Sequence, residues 1–147
     1  DTAMRFVTRL GDVLVVGPLT LALALGAIPH LREAGALALW NLTASHMLVQ
    51  ILKRRVCRGR PQLPVGLTFL IEPEDRFSFP SGHTMNAFAV GAVVAQSFPL
   101  LGPAVLVLAA SVGASRVVLG LHFLSDVLAG AILGLGIGVL AHGLLFG

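Results

Sequence analysis

Five apolar runs, at about residues 13–28, 34–52, 84–98, 102–119 and 124–146, take up most of this 147-residue chain. A helix needs about 20 predominantly apolar residues to cross the hydrocarbon core of a bilayer, and several of the runs come near that length. The chain therefore reads as all-α, a polytopic membrane helical bundle with about five spanning helices. The first run is the weakest, because Pro18 and Thr20 interrupt it and Arg9 and Asp12 stand just before it. Composition agrees: 56% of residues are hydrophobic, 12% are charged, and the mean hydropathy of +0.90 is far above that of a soluble domain.

The start has no basic segment followed by an apolar stretch and a small-residue cleavage site, so no signal peptide is expected. Opening at Asp1 points to a trimmed amino terminus. The single cysteine, Cys57, has no internal disulfide partner and no metal-binding cluster, and reads as a bystander. A net charge of +3 rests on few basic residues in a lipid-soluble chain, which favours anionic lipid head groups over nucleic acid as partners.

The longest polar interruption, residues 53–80, holds six of the ten Lys and Arg residues and separates two apolar runs from three. With no internal repeat or low-complexity linker, residues 1–147 read as a single membrane-embedded domain with a polar loop at 53–80. Within the loop, "LTFLI" at 67–71 is too short to span; it either dips into the interface or packs inside the loop. In the last run Gly130, Gly134 and Gly138 share one helical face, a strip that lets a neighbouring helix approach closely.

Alternating the direction of successive runs brings the charged residues to one side. The run 34–52 delivers Lys53 to the loop, the next run leaves from the same face after His83, and the run 102–119 returns Arg116 to it. The last run then starts there with His122 and Asp126. Ionisable residues at a membrane edge are costly and face polar cavities. Lys53, Arg60 and Arg116 suit phosphate, two by guanidinium forks and one as a point charge, although each alone also suits a snorkelling head-group anchor.

"PSGH", residues 80–83, stands where the next helix begins. Ser81 is a favoured N-cap, Gly82 permits close backbone approach, and the free N–H groups of a first turn attract an anion. His83 in that turn has the ordinary pKa of a proton donor and acceptor at neutral pH, or is a hydrogen-bonded structural residue. His122 and Asp126 are four apart, so on a helix they share a face and the carboxylate can fix the imidazole tautomer. Such a pair serves catalysis or bridges helices. Asn41, Thr43, Ser45, His46 and Gln50 in the run 34–52 make helix-to-helix hydrogen bonds or, near Gln50, a polar cavity wall.

Together, "KRRVCRGRP" (53–61), "PSGH" (80–83) and "SRVVLGLHFLSD" (115–126) resemble the three signatures of the type 2 phosphatidic acid phosphatase superfamily. These are membrane lipid phosphate phosphatases that share a site with soluble vanadium haloperoxidases. The resemblance covers about residues 35–140. It implies that Lys53, Arg60, Arg116, Ser81 and Gly82 hold phosphate oxygens and that His122 is the nucleophile, forming a phosphohistidine with Asp126 orienting it. It also implies that His83 protonates the leaving group and then activates water, with no metal or other cofactor. Bacterial members typically have six helices, so the five read here imply either a helix before Asp1 or a shorter variant.

The implied activity is hydrolysis of a phosphomonoester or pyrophosphate on a lipid: polyprenyl pyrophosphate, phosphatidylglycerophosphate or phosphatidic acid. The alternatives are a lipid phosphotransferase using the same intermediate, and a non-catalytic lipid-phosphate-binding membrane protein; the composition argues against a soluble haloperoxidase. The expected location is the bacterial inner membrane with the site facing the periplasm or outer leaflet. A count of positive loop charges points the other way, but at least three of those cations have a catalytic reason to be there.

Overall fold

The structure is a computed structural model that describes residues 2–62, 71–73 and 75–146, with 144–146 as backbone only. The predicted "LTFLI" segment, Ile71 apart, lies outside the described residues. These fold as α1 (Thr2–Arg9), α2 (Val13–Ala24), a 3₁₀ turn (Pro29–Leu31), α3 (Arg32–Val56), α4 (Gly82–Ser97), α5 (Gly102–Val118) and α6 (Leu124–Phe146). The five apolar runs correspond to α2 through α6. The short α1, with Arg5 and Arg9 among its eight residues, has too little apolar sequence to stand out.

The expected count of five spanning helices resolves differently. Among the described residues, only α3, taken with the turn before it, and α6 are long and apolar enough to cross a bilayer. The α1–α2 pair, bent by 41°, makes a third if it counts as one span. Helices α4 and α5 have 16 and 17 residues, which at a rise of about 1.5 Å is roughly 24–26 Å, short of a full hydrocarbon core. Their ends are set by local chemistry. Pro80 and Ser81 precede α4, and Pro103 occupies the first turn of α5, where its missing N–H costs nothing.

Helix α4 is the hub, packing against α3, α5 and α6. The glycine strip of α6 makes its closest approach possible. A Cβ added at Gly130 would meet the Ser81 carbonyl, one at Gly134 the Met85 carbonyl, and one at Gly138 the Ala92 Cβ, all closer than 3.0 Å. The small-residue face expected from the sequence is thus the α4–α6 seam.

Polarity runs partly inside out. Leu14, Leu25, Trp40, Ile132 and Leu140 are exposed, whereas Asn41, Ser45, Thr84, Ser115 and Asp126 are buried. Side chains of this kind on the outside suit lipid, and most of these buried polar groups find partners in the bundle, the Asn41 Oδ1 atom excepted. In α3, Asn41 and Thr43 donate to carbonyls of their own helix, at Leu37 and Leu39, while Ser45 reaches Asn86 Oδ1 of α4 at 2.8 Å. His46 and Gln50 line a polar cavity, so the expected cavity wall is found there, whereas the expected helix-to-helix bond is made by Ser45 and not by Asn41 or Thr43.

Candidate active site

The chain reaches the site through helix ends. Helix α3 closes with Cys57 in the left-handed conformation (φ 51°), its N–H bonded to the Lys53 carbonyl, which turns the chain toward Arg58 and Arg60. That segment is zipped to the one before α4: Ser78 N–H donates to the Arg58 carbonyl at 2.8 Å and Ser78 Oγ to the Gly59 carbonyl at 2.9 Å. Helix α5 ends at Val118, and two residues on Gly120, whose φ of 70° only glycine adopts readily, doubles the chain back so that the N–H groups of Leu121 and His122 both reach the Arg116 carbonyl.

Lys53, Arg60, Gly82, His83, Arg116 and His122 all line one cavity of about 40 Å³, space for a few water molecules or a small anion. Asp12, Asp75, His46, Gln50 and Asn86 complete its polar wall. Ser81 and Asp126 stand behind that wall. Ser81 occupies the N-cap position, but its hydroxyl makes no cap bond; it pairs with Thr84 Oγ1 at 2.8 Å, and its N–H donates to the Asp126 carbonyl.

The expected geometry of His122 and Asp126 needs correction. His122 lies in the turn before α6, which begins at Leu124, so the two do not share a helical face. Nδ1 of His122 is 2.7 Å from the Ser78 carbonyl and 3.7 Å from Asp126 Oδ2, outside hydrogen-bond range. A carbonyl only accepts, so Nδ1 carries the proton and Nε2 is left with its lone pair, 3.3 Å from Arg60 Nη1 in the cavity wall. Asp126 instead accepts from the Phe123 N–H at 2.9 Å and from Arg58 Nη1 at 2.8 Å, fixing the turn that holds His122. Burial lowers the His122 pKa from its ordinary value and the Arg116 and Arg60 charges add to this, against the opposing influence of Asp126. The ring is therefore neutral at neutral pH.

Two cations have a partner the sequence reading did not name. Asp75 Oδ2 bonds Lys53 Nζ, and its Oδ1 accepts from Arg60 Nη2 at 3.1 Å and from the Phe77 N–H at 3.0 Å. Burial pushes the Asp75 carboxyl up, but the hydrogen bond and charge of Lys53, with the charge of Arg60, outweigh it and hold the group below the usual carboxylate range. Arg60 also donates from Nε to the Asp75 carbonyl and from Nη1 to the Leu121 carbonyl, both at 2.8 Å. Arg58 was likewise missed. It ties Asp126 and Ser125 and stacks over the Phe123 ring at 4.3 Å. Thr8, in the helix that was not foreseen, accepts from Arg116 Nη1 at 2.8 Å. The signal for Asp75 was an acidic cluster, "EPED", inside an otherwise basic loop. Among the described residues, no three His, Cys, Asp or Glu side chains are grouped to hold a metal ion.

Comparison with known proteins gives the family. The sequence pattern of the PAP2 superfamily matches residues 34–146. Phosphatidylglycerophosphatase B of Bacillus subtilis is 34% identical over 92% of this chain and 70% of its own length. Decaprenylphosphoryl-5-phosphoribose phosphatase of Mycobacterium tuberculosis is 34% identical over 85% of this chain and 70% of its own. The crystal structure of the transmembrane PAP2 type phosphatidylglycerolphosphate phosphatase from Bacillus subtilis superposes with a TM-score of 0.80 at 33% identity, covering 97% of this chain and 75% of that one. That of Aquifex aeolicus LpxE gives 0.82 at 25% identity, over 97% and 84%. These relatives include lipid phosphatases, and the chain, an all-helical protein with membrane-spanning apolar helices, belongs to the PAP2 superfamily.

Proposed function

We propose that this protein is an integral membrane lipid phosphatase that hydrolyses a phosphomonoester or pyrophosphate on a lipid through a phosphohistidine at His122. The observation that carries the reading is the state of that imidazole: Nδ1 is tied to the Ser78 carbonyl while Nε2 faces a cavity lined by Lys53, Arg60 and Arg116. A neutral ring whose Nε2 lone pair points at fixed cations, engaged before substrate binds by Arg60 Nη1 at 3.3 Å, is a nucleophile aimed at an anion site once the phosphate takes up that donor.

The substrate phosphate sits on Lys53, Arg60, Arg116 and the first-turn N–H groups at Gly82, with Ser81 behind them. His83, which burial and the nearby cations keep neutral before substrate binds, takes up a proton with the incoming phosphate. His122 Nε2 then bonds to phosphorus as the phosphorus–oxygen bond to the lipid breaks, and His83 gives that proton to the leaving oxygen. His83 then takes a proton from water, which attacks phosphorus, breaks the phosphorus–nitrogen bond and releases inorganic phosphate. Asp126, holding the turn through Phe123 and Arg58, supports His122 from behind. The cations offset the charge that metal ions neutralise in many phosphoryl-transfer sites, so the reaction needs no metal.

The relatives' named substrates differ in their lipid and share a phosphate, so the class proposed here is lipid phosphate: polyprenyl pyrophosphate, phosphatidylglycerophosphate or phosphatidic acid. An apolar cavity of about 210 Å³, lined by Leu10, Val16, Leu19, Val90, Leu108 and Val112, supports a place for the tail. The α1–α2 junction lines both it and the polar cavity, through Leu10 and Val16 on one side and Asp12 and Val13 on the other. Residues 1–147 act as one domain, in the bacterial inner membrane, with the site facing the periplasm or outer leaflet.

The test is inorganic phosphate release by detergent-solubilised protein in EDTA across a panel of lipid phosphates, with His122→Ala alongside. Release by the wild type and none by the variant is the expected result. Equal release by both removes the nucleophile, and transfer of phosphate to a second lipid without release makes the enzyme a phosphotransferase.

A further inference from the structure

The cations assigned to the substrate phosphate already hold an anion. Asp75 places one carboxylate oxygen on Lys53 Nζ and the other on Arg60 Nη2, the bridging pattern of two phosphate oxygens on the same pair. All three side chains line the polar cavity. The Lys53 and Arg60 side chains are each 9% exposed, whereas that of Asp75 is 33% exposed, so the carboxylate is the partner with room to leave. Its departure does not release the segment, because Arg60 Nε stays bonded to the Asp75 backbone carbonyl at 2.8 Å and Ser78 stays tied to Arg58 and Gly59.

We propose that Asp75 is a resident counter-anion, exchanged for the substrate phosphate on binding and returned to Lys53 and Arg60 when inorganic phosphate leaves. This rests on the phosphatase reading above and adds the regulation of that same site. A phosphate dianion and an ionised carboxylate repel, and both need the same N–H donors. Without the carboxylate, a pocket with Lys53, Arg60 and Arg116 holds free phosphate tightly and clears its product slowly. With it, every departing phosphate is replaced by a tethered anion at high local concentration, and the two cations are never left buried without a partner.

The experiment is product inhibition by inorganic phosphate in wild type, Asp75→Asn and Asp75→Glu, with thermal unfolding of each in detergent. Asn keeps the size and an acceptor for the Phe77 N–H but lacks the charge. The inhibition constant for phosphate is expected to fall about tenfold or more in Asp75→Asn, the worth of one charge-assisted bond no longer competing, and to stay near wild type in Asp75→Glu. A constant that is unchanged or higher in Asp75→Asn overturns the proposal and makes Asp75 a residue that holds the cations in place while phosphate is bound. Should Asp75→Asn unfold early, Asp75→Ser gives the same reading without the charge. The same comparison by calorimetric titration of phosphate in a His122→Ala background needs no turnover. An absence of phosphate release from any lipid by the wild type counts against the phosphatase reading, and release with an unshifted inhibition constant counts against Asp75 alone.

Discussion

Arg60→Lys keeps the charge and removes the fork, which makes it the sharpest test of how the site is built. The guanidinium uses all three nitrogens: Nε on the Asp75 carbonyl, Nη1 on the Leu121 carbonyl with His122 Nε2 at 3.3 Å, and Nη2 on Asp75 Oδ1. An ammonium donates from a single atom, and acceptors spread across a guanidinium's width cannot all be reached from one point. Lysine therefore forfeits about two of these bonds. The side chain is only 9% exposed, so water does not replace them freely. Charge-assisted bonds contribute about 1.5–3 kcal/mol each. One of the two is a structural bond, and its loss appears as lower thermal stability. The other is the Nη2 bond, which in the proposed exchange passes from Asp75 to a phosphoryl oxygen, and its loss appears in kcat/KM as a fall of about 10- to 100-fold. Part of the fall belongs to kcat, because Arg60 stands 3.3 Å from His122 Nε2, the proposed attacking nitrogen, as well as on the proposed phosphate site. The assay is phosphate release with varied lipid phosphate in mixed micelles, paired with a melting curve. A kcat/KM within twofold of wild type at unchanged melting temperature would refute the clamp.

Three further outcomes follow from the packing and the site. Gly134→Ala drives a Cβ into the Met85 carbonyl and costs about 1–3 kcal/mol of overpacking, whereas Gly136→Ala, with nothing within 4 Å, is tolerated; equal melting temperatures for the pair would mean that α4 and α6 do not meet along this seam. Val16→Trp fills the apolar cavity, so KM rises several-fold for long-chain lipid phosphates and not for a short-chain soluble one, and a parallel effect on both places the tail elsewhere. Because burial depresses the His122 pKa, the unfolded chain takes up this proton first as pH falls below about 6.5, and stability drops from there toward the folded-state pKa. Nitrogen-15 histidine spectra are expected to show His122 titrating below 6.5, and a midpoint above 6.5 contradicts the buried neutral ring.

Much of this was legible in the sequence because hydrophobic runs and motif spacing are local properties. The runs mark α2 through α6, and the glycine spacing at 130, 134 and 138 marks the seam on α4, since a four-residue repeat is also a helical face. Spans were harder. The length of an apolar run does not reveal that α4 sits at the hub of the bundle, where short helices suffice. The His122–Asp126 pair was misjudged for a related reason: spacing of four implies a shared face only inside a helix, and Gly120 makes the chain turn until Phe123. Partners across the loop, such as Asp75 on Lys53 and the Ser78 carbonyl on His122, depend on which residues the closed loop brings together, and no periodicity encodes that.

The cross-ties explain why three motifs far apart in the chain must fold as one unit. Arg60, from the first, holds the Leu121 carbonyl next to the His122 of the third. Ser78, just before the second, holds His122 Nδ1 by its carbonyl while its own N–H and hydroxyl grip Arg58 and Gly59 of the first. Arg58 in turn neutralises Asp126 of the third, and the Asp126 carbonyl accepts the Ser81 N–H of the second. The third motif is thus tied to both the others and Ser78 ties the first to the chain just before the second, several of the contacts being to backbone carbonyls that no substitution removes. The nitrogen proposed as nucleophile, oriented by such a closed set of contacts, is held before substrate arrives, so little reorganisation is left for the proposed reaction.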